Sequence, residues 1–253
     1  MIPTWLNLLA WLSLLLGLLS AIAILIDLQK RPQHMAIMHW VWPLCALFGH
    51  LLLLAFYLCY GRAHPPSHHE HHEHHEHHEH HEHHEHHEHQ QPAPSWVQVA
   101  TGSLHCGSGC TLGDIVAETA VLFFPAIATA FGWKTLFAEP IFAVWILDFI
   151  FAFAIGIVFQ YFAIKPMAPG LSVGAALSKA LKADALSLCA WQLGMYGFMA
   201  LAHFYLFPQL LGTALKTGSA PFWLMMQLAM LCGLLTAFPV NRWLIQKGIK
   251  EAM

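Results

Sequence analysis

Six apolar stretches, at about 4–26, 36–60, 99–132, 140–164, 184–207 and 221–246, constrain this 253-residue chain more than any other feature. Each is long enough to cross a hydrocarbon core, which takes about 20 helical residues. Lipid offers the backbone no hydrogen bonds, so stretches of this length are expected to be helices. The expected fold is therefore all-α and integral to the membrane, with about five to six transmembrane helices. Trp5 to Ile26 is preceded by no Lys or Arg and is too long for a signal peptide, so it reads as a first membrane helix.

Composition agrees and excludes other classes. The chain is 57% hydrophobic and only 10% charged, outside the range of soluble globular domains. No basic patch interleaved with aromatics occurs, so no nucleic-acid partner is expected. The six Cys lie almost all in apolar stretches, unlike an extracellular disulfide framework. No nucleophile elbow, Walker loop, dinucleotide fingerprint or HExxH motif is present, and an enzyme has little motif support.

Punctuation divides the chain into an N-terminal helix pair (1–62), a His/Glu-rich low-complexity loop (63–95) and a helical membrane domain (96–253). The segment "GLSVGAALSKALKAD" is amphipathic and suits the membrane surface. Positive charge then bears on topology. If 99–132 is a re-entrant helical hairpin, eight Lys and Arg share one side and three the other; if it is one span, the best split is seven to four. The charge rule prefers the hairpin, with one long helix as the alternative. Both versions set the loop opposite Lys30 and Arg31, hence on the periplasmic side of a bacterial inner membrane.

Candidate chemistry concentrates in "GSLHCGSGCTLGDIVAE" (102–118). On a helix, Cys106, Cys110, Asp114 and Glu118 recur every four residues and form one stripe, with His105 beginning the segment. Thiolate, imidazole and carboxylate on one surface suit a transition metal, and thiols favour Cu(I) or Zn(II). A packing seam of small buried Cys is the plainer explanation, but carboxylates in a membrane are costly and seldom incidental. A second stripe, Asp184, Gln192, Met195, Met199 and His203, falls on one face; its thioethers are either soft-metal ligands or core packing. Asp148, alone in an apolar helix, suggests a proton or cation path or a polar pair for assembly. Met226 with Met230, and His39 with His50 on one face of the second helix, are weaker candidates.

Residues 68–89 hold fifteen His and seven Glu with a period of three. A helix turns 300° per period, so no His face is specified and the tract reads as a disordered loop. His68, His69, His71, His72, His74, His75 and their repeats would collect borderline ions near neutral pH and release them in acid. Repeat expansion in a tolerant loop explains the same sequence.

The stretches "LHCGSGCTLGDIVAE", "KADALSLCAWQLGMYGFMA" and "TAFPVNRWLIQKGIKEAM" resemble a family of uncharacterised bacterial multi-pass membrane proteins. Its pattern has H-C-x-x-G-C/D near the middle and P-V-N-x-W-L-I…G-[IL]-K near the end. Separately, "GSLHCGSGC" is similar to a segment of urease-accessory-like membrane proteins linked to nickel and copper handling, with Gly109 where that segment has Met and Thr111 where it has Gly.

These readings lead to a cytoplasmic-membrane protein that binds and moves a transition-metal ion, copper first and zinc or nickel next. Its partners would be the lipid bilayer and the metal, with homo-oligomerisation open. A metal sensor, a metal-insertion assembly factor and a thiol oxidoreductase using Cys106 and Cys110 are the alternatives.

Overall fold

The computed structural model describes residues 2–33, 35–63 and 95–251. The helices are α1 (Thr4–Lys30), α2 (Met38–Phe56, continued by a π-helical turn Tyr57–Gly61), α3 (Trp96–Phe123), α4 (Ala126–Ala130), α5 (Pro140–Met167), α6 (Val173–Leu201, continued by a π-helical stretch Ala202–Leu210) and α7 (Ala220–Gln246). There is no strand among the described residues. The outer faces carry Leu, Ile, Phe and Trp in quantity; Leu8, Trp11 and Leu52 are well exposed. Water would penalise such a surface and lipid would not. The protein is a multi-pass helical membrane protein. The ion-collecting residues expected at His68, His69, His71, His72, His74 and His75 lie outside the described residues.

Segment 36–60 does not cross as one helix. Met38–Gly61 has the length and composition of a span, but His50 breaks it with φ 47° and ψ −132°. The chain there doubles back. Trp42 meets the rings of Phe56 and Tyr57 at 6.0 and 5.4 Å. Gln33 Nε2, before the first arm, donates to Gly61 O at the end of the second (2.9 Å). Tyr57 and Arg62 both donate to the Asp27 carboxylate in the last turn of α1. Each arm holds about a dozen residues and rises about 18 Å, too short to cross a hydrocarbon core of about 30 Å.

The hairpin tip is held by groups that stand in for lost helical bonds. Gln227 Nε2 of α7 donates to Leu47 O (2.7 Å), and Ser13 Oγ of α1 donates to Gln227 Oε1 (2.8 Å). His50 Nε2 lies 3.3 Å from Ser13 Oγ. A Cβ on Gly17 would stand 2.6 Å from Leu47 O, so the tip reaches α1 only because residue 17 is glycine. Irregular backbone at membrane depth survives only where protein satisfies it or where it lines a cavity; here Gln227 takes the Leu47 carbonyl, and Leu47 borders a cavity, while Leu51 and Leu52 face outward.

The re-entrant hairpin expected at 99–132 is corrected by this arrangement. Residues 96–123 form one continuous 28-residue helix, started by a Ser95/Gln98 capping box and stopped just before Pro125. Its glycines serve as packing contacts and do not break it. α4 and the turns after it then lead to α5. The charge rule prefers an even number of crossings at 99–132; the single helix there departs from this, and the even total between Arg31 and Lys165 comes from the hairpin at 38–61. Following the chain through the antiparallel helices, all eleven Lys and Arg except Lys134 and Lys216 gather at one end, here called the basic end. Ala63 and Ser95, which flank the His/Glu tract, lie at that end too: Arg62 bonds Asp27, and Trp96 packs on Tyr60 at 5.2 Å. The described residues flanking the tract thus lie at the same end as Lys30 and Arg31, not at the opposite one.

α3 runs through the middle of the bundle, against α2, α5, α6 and α7. Its tightest neighbour is α5. A Cβ on Gly109 would stand 2.6 Å from Gly156 Cα, and one on Gly113 would stand 2.4 Å from Ala152 N. Each step of four along α3 is matched by a step of four back along α5. One step further, Ala117 comes opposite Asp148.

Candidate functional site

That register explains why three acids from two helices meet. Asp114 and Glu118 are one turn apart on α3, and α5 brings Asp148 beside them, close enough for the three charges to interact. They are 0%, 4% and 1% exposed. Both oxygens of Asp114, Oε2 of Glu118 and Oδ1 of Asp148 have no hydrogen-bond partner. Gln192 of α6 approaches Asp114, but its amide atoms are also unpartnered. Tyr196 flanks the cluster and donates its own hydroxyl proton to Trp145 O (2.9 Å). Buried polar groups are ordinarily paired, and unpaired carboxylates in a membrane cost most. Such a group must hold a proton or a cation.

One acid of the cluster borders a cavity. A cavity of about 150 Å³ beside the hairpin tip is lined by Leu47, Thr111, Asp114, Met226, Gln227 and Met230, among others. Thr111 Oγ1 sits 3.8 Å from Met230 Sδ. The irregular tip of α2 and the first acid of the cluster thus face the same space.

Toward the basic end the stripe continues. Cys110 and Cys106 are both 0% exposed and free, and they lie against each other one turn apart. Cys45 from the first arm of α2 is near Cys106 and donates its thiol to Leu104 O (3.2 Å). His105 is 0% exposed, has both ring nitrogens unpartnered, and feels the charges of Asp184 and Lys250. From His105 to Glu118 the helix rises about 20 Å, most of a hydrocarbon core.

At the basic end itself lies a paired network. Lys250, in the turn after α7, places its Nζ 2.6 Å from Asp184 Oδ1, 2.8 Å from Asn241 Oδ1 and 3.2 Å from Gly102 O. Asn241 Nδ2 donates to Ser187 Oγ (2.6 Å). The side chains of Lys250 and Asp184 are both fully buried.

The sequence-based candidates separate accordingly. His105, Cys106, Cys110, Asp114, Glu118 and Asp148 share the α3 interior. Asp184 is near that line but is taken by Lys250. Met195 and Met199 sit in the apolar core. His203 faces elsewhere, 3.8 Å from Glu139 Oε2 and edge-on to Phe204. His39 contacts only its own turn and Gln33, and His50 occupies the hairpin tip, so the two share no helix face. Among the described residues, no three His, Cys, Asp or Glu converge as a ready metal site. Sequence reasoning missed Lys250, Asn241 and Ser13, and it placed Gln227 only beside the Met226 and Met230 pair. The first two stand inside the quoted "FPVNRWLIQKGIK" stretch, which was the available signal.

A family model described as "Domain of unknown function (DUF4396)" matches residues 95–250. The chain belongs to this family. The match takes in α3 to α7, the acid cluster and Lys250, and leaves out α1 and the α2 hairpin. No curated protein and no solved structure matches the chain.

Proposed function

We propose that the protein moves a cation across the membrane through the interior of the α3–α5–α6–α7 bundle, with Asp114, Glu118 and Asp148 as the carrier groups. The carrying observation is the set of three adjacent buried carboxyl groups with unpartnered oxygens, one of which lines a cavity. Carboxyls without a basic partner exchange a proton for a cation at modest cost, because either one balances the charge. The hairpin tip supports the same reading. Broken helices near the bilayer midplane are where secondary transporters bind their ions.

A transition-metal ion as cargo is the second reading. The stripe of Cys106, Cys110 and His105 favours it, with copper first and zinc or nickel next; it requires a conformation that draws these ligands together. By the positive-inside rule the basic end is cytoplasmic. The His/Glu tract would then buffer ions on the inner side of the membrane.

Flux into proteoliposomes tests both readings. Purified full-length protein is reconstituted, and uptake of Na⁺, K⁺, Zn²⁺, Ni²⁺ and Cu⁺ is followed alongside internal pH. Flux of any of these that disappears in Asp114→Asn supports the carrier role. Flux of Cu⁺, Zn²⁺ or Ni²⁺ alone, lost also in a Cys106→Ser/Cys110→Ser variant, selects the metal. Liposomes no leakier than empty ones to every ion and to protons refute transport.

A further inference from the structure

The ammonium of Lys250 is bound as a free cation would be. Three oxygens converge on it from three places: a carboxylate on α6 (Asp184), an amide on α7 (Asn241) and the backbone carbonyl of Gly102 near the start of α3, at 2.6 to 3.2 Å. The Asn241 amide is itself oriented by Ser187, so its oxygen points at the ammonium without a competing donor role. Oxygen cages of this composition are suited to hard cations. The cage also has unused capacity. Asp184 Oδ2 and both His105 nitrogens are buried beside it without partners.

The occupant is tethered lightly. Lys250 stands outside α7, on a turn whose backbone amides at Ile249 and Lys250 bond Leu244 O. The next residue, Glu251, holds the turn to Lys179 by an exposed ion pair. A surface pair of this kind contributes little, so withdrawal of the side chain is opposed mainly by the cage itself.

We propose that Gly102 O, Asp184 and Asn241 form a monovalent-cation site at the basic end of the bundle, and that Lys250 is its built-in occupant. Charge fixes the valence: one carboxylate neutralises one ammonium, so the ion that replaces it carries a single charge. With Lys250 seated the basic end of the path is closed; with Lys250 withdrawn, Na⁺ or K⁺ fills the cage. The inference extends the transport reading to a second site, but its test reads stability, not flux, so each can fail without the other.

The experiment compares thermal unfolding of the full-length protein in detergent, in NaCl, in KCl and in choline chloride at equal ionic strength. Wild type sets the baseline, and any salt response it shows from the acid cluster is subtracted. Lys250→Ala is destabilised in choline and recovers by several degrees in NaCl or KCl, saturating with concentration as a bound ligand does. Adding Asp184→Asn to Lys250→Ala abolishes that recovery. Lys250→Ala melting equally in all three salts, failing to fold in every one of them, or keeping its cation response with Asp184→Asn present, overturns the proposal.

Discussion

Asp184, on α6 beside α3, and Asp114, on α3 itself, are both fully buried, yet one has an ammonium 2.6 Å away and the other has no hydrogen-bond partner. The paired acid sits at the basic end, where α6, α7 and the turn after α7 meet the start of α3. The unpaired one sits further along, beside a cavity and two more acids. A buried pair completed by an amide and a carbonyl closes the structure locally and holds four segments together. A buried acid with no partner contributes nothing to holding the fold and can change its occupant. The same chemical group is thus tied to a counter-charge from its own chain at one end of α3 and left without one further along it.

The sharpest way to break this contrast is to remove the ammonium. Lys250→Met leaves Asp184 buried without its counter-charge, and losing one partner of a buried pair costs about 3–5 kcal/mol. Denaturant unfolding in choline-based buffer should show a loss of this order, and Lys250→Met with Asp184→Leu should recover most of it. If Lys250→Met unfolds like wild type, the pair is not what joins the segments.

Next in size is the hairpin tip, which resembles the paired end in being satisfied and the acid cluster in lying deep. Gln227→Leu leaves Leu47 O without its donor and leaves Ser13 only its longer contact with His50. An unsatisfied buried group costs about 1–3 kcal/mol. The loss should be read as lowered stability together with faster hydrogen exchange in residues 45–53, while the α3–α5 seam keeps its protection.

The helical membrane fold was legible from the apolar stretches alone, since lipid leaves so few alternatives. The hairpin was half legible. Counting charges points to a segment that does not cross outright, but it cannot say which, and it sets the hairpin at 99–132. The glycines there let α5 approach, as the contacts at Gly109 and Gly113 show. The real break is at His50, and the residue that stabilises it, Gln227, is 180 positions from the carbonyl it satisfies. Helical spacing correctly grouped Cys106, Cys110, Asp114 and Glu118. It could not bring Asp148 to them, because that depends on the register between two helices. For Asp184 it failed differently: the face shared with Met195 and Met199 was read as one site, whereas Lys250, from outside any helix, claims the acid.

The acid cluster should respond in the opposite sense to the paired end. Asp114→Asn removes no hydrogen bond and no ion pair, so its effect on stability should stay below about 1 kcal/mol. Cation flux in proteoliposomes should nevertheless fall at least about tenfold, since a carrier group that cannot ionise cannot exchange. Glu118→Gln and Asp148→Asn should behave alike. A large stability loss with flux intact would place the cluster among the structural groups and remove the contrast.

The smallest effect isolates burial from distance. Lys179 Nζ stands 2.6 Å from Glu251 Oε1, the same separation as Lys250 Nζ from Asp184 Oδ1, but its partners are 41% and 50% exposed where the others are 0%. Water already solvates the exposed pair, so removing one member strands no charge. Lys179→Ala should change stability by no more than about 1 kcal/mol, and less as salt is raised. Measured beside Lys250→Met, it holds geometry constant and varies only the surroundings. A cost for Lys179→Ala as large as that for Lys250→Met would mean that contact distance, and not withdrawal from water, sets the strength of pairing at the basic end.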